Sequence, residues 1–254
     1  MPIISQHIYG GYQDGGVKFS SDYLLTSTAA TQGPRLVAPG VVLAHQAGQL
    51  FRVGEINSID GSGVVGISDA FGSALWAVDT MFEYAHVGVD GVNWHGNVNN
   101  AYCAFGFGNT NVNGSDPYTL TKVAPLYYGM LFFQLAAPNN AQLLPVAVQA
   151  NANLKVWATE DKTGTVRVVI LNKDKTFSGN VSVSLPGYGA ASKLQMLAPT
   201  YESNDGITIG GQTFDGSADG KPVGSQVTDS ILPSNGTYTV PVQPTSAVLL
   251  TMSH

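Results

Sequence analysis

A chain of 254 residues with 44% hydrophobic content is long enough for one large or two ordinary domains, each with a real core. Only 11% of the residues are charged, the formal net charge is −6 and no basic cluster occurs, so nucleic acid has no electrostatic footing as a partner. No apolar run reaches the roughly 18 residues of a membrane span, which excludes a membrane partner of that kind, and the single Cys103 excludes an internal disulfide framework.

Thirty glycines and many small polar residues suit a loop-rich, strand-rich secreted protein, and an extracellular location is the expectation. The opening "MPIISQHIYGG" carries no charged n-region and no signal-type apolar stretch. Sequons at Asn113, Asn180 and Asn235 add little in a chain this rich in Asn, Ser and Thr.

In chain order, "IISQHIYGG" (3–11) reads as a short strand. "SSDYLLTSTAATQG" and "RLVAPGVVLAHQAG" read as two helices, the second ending at Gly48. "LFRVGEIN" (50–57) is a compact apolar strand. "GISDAFGSALWAVDTMFEYAHVG" predicts the clearest helix, capped by Ser68 or Asp69, with Phe71, Leu75, Val78 and Phe82 on one stripe. "VDGVNWHG" (89–96) is the next strand, and "KVAPLYYGMLFFQLAA" another helix. Strand–helix repeats of this length predict right-handed βαβ units and a parallel sheet.

Near Pro138 the pattern changes. "LLPVAVQA", "LKVWATE", "TVRVVILNK", "GNVSVSLP", "SKLQMLA", "GTYTVPVQ" and "SAVLLTM" are short alternating strands, with "EDKTG" as a hairpin turn. They predict an antiparallel β-sandwich. The expected fold class is thus α/β plus all-β, with domains at 1–138 and 139–254.

Two readings compete at "LFRVGEINSIDGSGVVG". Gly61 to Gly66 fits G-x-G-x-x-G, the dinucleotide fingerprint. That motif needs a strand running straight into the first glycine and an acid about 20 residues on, at the end of the next strand. Here Ile56 to Asp60 intervene, Asp79 and Glu83 fall inside a helix, and Asp90 starts the next strand; no nucleotide cofactor is expected. The acid Glu55 fares better. Of the four glutamates, Glu83 reads as a solvated helix face, Glu160 as a turn residue and Glu202 as a loop residue. Glu55 alone stands at the C-terminal end of a parallel strand, where α/β enzymes place their chemistry, with Gly54 and Asn57 beside it. A capping acid or a partner for Arg52 is the plainer alternative, but three residues along a regular strand puts Arg52 on the opposite face. The five histidines show no metal-ligand spacing, so no metal is expected.

"RVGEINSIDGSGVVGISDAFGSALWAVD" resembles the nucleophile region of glycoside hydrolase family 79, the heparanase and β-glucuronidase family. "QHIYGG" resembles its His-x-Tyr strand, "PLYYGMLFFQLA" its final barrel helix, and "ITIGGQTF" with "TSAVLLTM" the end of its β-sandwich. The resemblance implies the last three units of a (β/α)8 TIM barrel followed by the sandwich, and retaining hydrolysis of β-glucuronides, exo- or endo-acting. It implies Glu55 as the nucleophile, with His7 and Tyr9 beside it in the floor of the site. The backbone of Gly61, Ser62 and Gly63 would receive the uronate carboxylate, and Tyr102 would contact the sugar. Asp60 stands where the family usually has a tyrosine, and an acid there opposes a uronate. Each residue also has a plainer reading: His7 as a satisfied interior histidine, Tyr102 as a loop aromatic, and Asn93, Trp94 and His95 as packing rather than cleft residues.

A retaining glycosidase needs a second carboxyl group as proton donor, supplied in this superfamily by the Glu of an Asn-Glu pair, and the chain contains no Asn-Glu dipeptide. The expectation is therefore a fragment that is inactive alone, leaves two sheet edges and an apolar inner face uncovered, and has the rest of the barrel as a partner beside its carbohydrate substrate. An inactive homologue or a carbohydrate-binding sandwich module is the alternative.

Overall fold

The structure, a computed structural model, describes residues 2–108, 119–138 and 140–253; the Asn113 sequon lies outside them. Strands β1 (Ile3–Gly11), β2 (Leu50–Ile59) and β3 (Gly91–Trp94) form a three-stranded sheet in the order β1-β2-β3, with both pairs parallel. Alternation decides what each face does. Ile8, Phe51, Val53 and Ile56 are buried toward the helices, and Val92 and Trp94 pack against them. The other face carries Ser5, His7, Tyr9, Arg52, Glu55 and Asn57. It is polar around Glu55, not apolar as the sequence suggested, because Ile8, Phe51, Val53 and Ile56 take the helix side; Ile3, at the start of β1, is exposed.

The alternation slips once. Gln6 pairs with Val53 and His7 with Glu55, so β2 holds one extra residue, Gly54, in a β-bulge. The pairing to β3 steps in the same place. The bulge restores Arg52 to the face of Glu55, correcting the expectation that the two point apart. Arg52 spends its guanidinium on Asn93, with Nη2 2.8 Å from Oδ1.

A 3-10 turn, Tyr23–Leu25, leads into a single helix, α1 (Ser27–Gln46), where the sequence suggested two. The Thr26 hydroxyl caps it, accepting from the Ala29 N–H at 3.2 Å. Pro34 and Pro39 argue for a break, since an interior proline costs about 3 kcal/mol. Burial of Ala29, Ala30, Val37, Val41 and Ala44 overrides that cost. Next comes α2 (Phe71–His86), preceded by Ala70 without a side-chain cap. The expected caps are used elsewhere: Ser68 bonds Ser58 and the Val64 N–H, and Asp69 accepts from the Gly66 N–H. A hairpin that the sequence did not signal, β4 (Phe105–Gly108) with β5 (Thr119–Val123), precedes α3 (Pro125–Ala136), which opens on a proline.

After α3 the described residues contain no helix. Strands β6 (Gln142–Leu144), β7 (Leu154–Glu160), β8 (Val166–Asn172), β10 (Ala191–Leu197), β11 (Thr208–Ile209) and β14 (Ser246–Met252) form an antiparallel sheet in the order β11-β10-β14-β8-β7-β6, and β12 (Asp229–Ile231) pairs with β10. Strands β9 (Gly179–Ser184) and β13 (Thr237–Val242) make a second, two-stranded sheet over it. The strand expected across 143–150 stops at Leu144, because Pro145 has no N–H to offer a ladder.

The α2 helix is the common wall. The stripe of Phe71, Leu75, Val78 and Phe82 joins α3 and the large sheet in one core, while Trp76, Ala77 and Tyr84 join α1 and the parallel sheet in another. A helix apolar on both sides must be covered on both. Gly10 makes room for this: a Cβ there would lie 2.7 Å from the Ser58 carbonyl oxygen and 2.9 Å from the Trp76 ring. Two ion pairs key α2 to the large sheet. Asp79 receives Lys173 at 2.5 Å and the Trp157 indole at 3.0 Å, all buried. Glu83, expected on a solvated face, is buried and bonded to Lys155 at 2.6 Å.

Candidate active site

Glu55 lies on the central strand of the parallel sheet, just past the bulge, on the polar face. Its side chain is 24% exposed. Tyr9, across on β1, donates its hydroxyl to Glu55 Oε1. The Nδ1 of His95 is 3.3 Å from the same oxygen, and the Nδ1 of His7 is 3.3 Å from Oε2. Burial, then the bonds to Glu55 and Tyr102, push the Tyr9 hydroxyl well above its ordinary 10.0, so Tyr9 stays a neutral donor. A carboxylate fixed by donors yet open to solvent on one side is equipped to attack an electrophile.

The residues after β3 complete the cluster. His95 donates its backbone N–H to the Ile56 carbonyl at 2.9 Å and accepts from the Asn57 amide at 2.6 Å. The Tyr102 oxygen lies 2.9 Å from His95 Nδ1, and its ring stacks on that of Tyr9 at 6.2 Å. Of the three residues left open at the end of this strand, His95 enters the cluster. Asn93 shares the face but is bound to Arg52, and Trp94 packs edge-on against Trp76. Asn57 is fully buried: its amide bonds the His95 and Tyr102 carbonyls, and its oxygen accepts from the Ser58 N–H. Its place is that of a clamp beneath the site rather than a contact surface for a ligand. Nothing in the sequence signals this, since a clamp and a ligand contact look alike as one Asn two residues after an acid.

The glycine turn sits beside this cluster. Gly61, Ser62 and Gly63 have φ of 64°, 80° and 81°, three successive left-handed residues. For Ser62, which has a Cβ, that is strained. The turn is stapled on two sides. Asp60 Oδ1 accepts from the Gln13 N–H at 2.7 Å, and the Ser62 carbonyl accepts from the Ala101 N–H at 3.1 Å, one residue from Tyr102. The turn does not abut a free helix end: α2 starts five residues beyond Gly66, and the N–H groups of Phe71 and Gly72 already donate to the carbonyls of Ser203 and Tyr201. That is not the geometry of a pyrophosphate cradle. Among the described residues no group of three or more His, Cys, Asp and Glu is placed to hold a metal ion, and no helix is long and apolar enough to cross a membrane.

Solved structures share the whole arrangement of elements. A 4-O-α-L-rhamnosyl-β-D-glucuronidase from Fusarium oxysporum 12S superposes with a TM-score of 0.79 at 23% identity, covering 97% of this chain and 52% of its own. A GH51 arabinofuranosidase from Xanthomonas axonopodis pv. citri gives 0.68 at 17% identity, covering 100% and 53%. A family 44 endoglucanase described as from Clostridium acetobutylium ATCC 824 gives 0.59 at 14% identity, covering 99% and 47%. At such identities the likeness is one of fold, and the chain spans about half the length of each. No curated protein matches the chain. Residues 150–249, however, match the model of the glycosyl hydrolase family 79 C-terminal beta domain. The chain thus carries the C-terminal beta domain of glycosyl hydrolase family 79.

Proposed function

We propose that this chain is the nucleophile-bearing part of a retaining glycoside hydrolase acting on glucuronic-acid-containing glycans. On this reading residues 1–138 are the last three units of a (β/α)8 barrel, residues 139–254 its sandwich, and Glu55 the nucleophile. The observation that carries it is the setting of Glu55: a half-buried carboxylate on the central parallel strand, just past its bulge, oriented by Tyr9, His95 and His7. A Glu55 oxygen bonds to the anomeric carbon as the glycosidic bond breaks, and the electron pair leaves with the aglycone oxygen. Water then replaces the ester oxygen and releases the sugar. The aglycone oxygen needs a proton from a carboxylic acid roughly 5–5.5 Å from the nucleophile. Among the described residues Glu55 is bonded to a tyrosine and flanked by two histidines, with no carboxyl group in the cluster. The acid is assigned to the remainder of a barrel that pairs with the edges of β1 and β3.

A uronate carboxylate is assigned to the backbone of Gly61 to Gly63, held toward Tyr102 by the Ser62–Ala101 bond. Asp60 opposes it less than its charge suggests, since one carboxylate oxygen is spent on the Gln13 N–H. The test is an activated 2-fluoro glucuronyl fluoride, whose leaving group needs no proton. The expected result is an ester within the peptide Val53–Ser58, located by mass spectrometry and lost in Glu55→Gln. Label on another carboxylate would remove Glu55 from the role.

A further inference from the structure

His95 Nδ1 is the point on which the cluster turns. It lies 3.0 Å from the Tyr9 oxygen, 2.9 Å from the Tyr102 oxygen and 3.3 Å from Glu55 Oε1. A tyrosine has one proton to give, and Tyr9 gives it to Glu55 Oε1. The Tyr9 oxygen can therefore meet Nδ1 only as an acceptor, which requires the proton to be on Nδ1. The carboxylate agrees: a bare Nδ1 lone pair facing Oε1 would repel it, whereas an N–H attracts it. The backbone leaves the ring little choice of place, because His95 is tied at its N–H and its carbonyl to the two residues that follow Glu55, Ile56 and Asn57.

We propose that His95 is a positioning residue for Glu55. Its Nδ1–H holds Tyr9 and Oε1 together, leaving Oε2 as the oxygen that faces an incoming ligand. Two donors converge on Oε1, whereas Oε2 has only His7, whose side chain is 64% exposed and free to give way. Charge-assisted bonds draw density from the oxygen that accepts them, so Oε2 is the more electron-rich of the pair. The ring proton follows from the geometry alone; the part played by Oε2 rests on the glycosidase reading above.

The experiment has two arms, both on the 254-residue chain. The first is nitrogen-15 NMR of the imidazole rings, with the His95 signals assigned by their loss in His95→Asn. A proton on Nδ1 near neutral pH is expected; a neutral ring protonated only at Nε2 would overturn the proposal, whatever the protein's function. The second arm is the rate of Glu55 esterification by the 2-fluoro glucuronyl fluoride. His95→Ala, which has no donor, should slow it about 10- to 100-fold. His95→Asn, whose amide nitrogen takes the place of Nδ1, should recover most of that loss. Equal rates in the two variants would overturn the positioning role. No label in the parent chain would count against the glycosidase reading alone, and the NMR arm would still decide the proton.

Discussion

The two sheets that flank α2 are built to opposite ends. The large antiparallel sheet is buried on both faces: in β8, Val169 and Leu171 join the core against the helices, while Val168 and Ile170 join the core beneath β9 and β13. The parallel sheet is buried on one face only, and on the other it presents a tyrosine, two histidines, an arginine and an acid. One sheet spends both faces on cohesion, and the other keeps a face for chemistry. Stability and reactivity are therefore separable by substitution, although a single helix touches both sheets.

The sharpest test of that separation is Asp79→Ala. It leaves Lys173 buried without its partner, a change worth about 3–5 kcal/mol, and a guanidinium unfolding curve should show it; a loss below about 1 kcal/mol would mean this pair does not key the layers together. Gly129→Ala comes next. A Cβ there meets the Ala74 carbonyl oxygen and lies 2.9 Å from the Ala74 Cα, backbone that cannot swing aside. Overpacking of this kind costs about 1–3 kcal/mol, read as a lower midpoint with an unchanged denaturant slope.

The complementary substitution lies on the polar face. Tyr9→Phe removes the donor to Glu55 without opening a cavity. Esterification of Glu55 should slow about 10-fold while the unfolding midpoint stays near that of the parent; a large fall in stability with no change in rate would reverse the assignment of the two faces. The smallest effect is electrostatic. The backbone N–H groups of Thr176 and Phe177, then that of Asn153, hold the Asp174 carboxyl at about 2, below its ordinary 3.8. A group depressed on folding contributes stability that is complete above 3.8 and lost as pH falls through about 2. Asp174→Asn should therefore differ from the parent at neutral pH and converge with it below about pH 2, as followed by thermal melts across the acid range. A constant difference at all pH would show that the turn, not the charge, matters.

Much of this division was legible in the sequence. The alternating runs "LKVWATE" and "SAVLLTM" coincide with β7 and β14, and the strand expected over 50–57 around Glu55 is β2, which runs two residues further, to Ile59, so that Glu55 lies inside it rather than at its end. What escaped has physical causes. The prolines of α1 speak for a break when read locally, and only the burial of Val37 and Val41 closes it. The stripe on α2 was visible, but its second apolar side, with Trp76 and Tyr84, is explained only by a second layer. Glu83 looked solvated because Lys155 comes from 72 residues away. His95 stood open between cleft and core, and the Nδ1 contacts that decide it come from β1, from β2 and from the turn at Tyr102.

The bulge at Gly54 has a consequence of another kind. A strand carries a two-residue phase, and this glycine is where the phase of β2 is reset. Upstream of it, Phe51 and Val53 keep step with the helices; downstream, Ile56 does, and Glu55 falls on the open side. Removing Gly54 alone would leave Val53 opposite Gln6 and Glu55 opposite His7 in unbroken alternation, so Glu55 would keep the open side and Ile56 the helix side. What would go is the local bend and twist that a bulge adds, which set the aim of the carboxylate rather than its face. One-residue deletions are usually judged by the chemistry of what is lost. Here the residue lost has no side chain, and the change would be read in the aim of its neighbour.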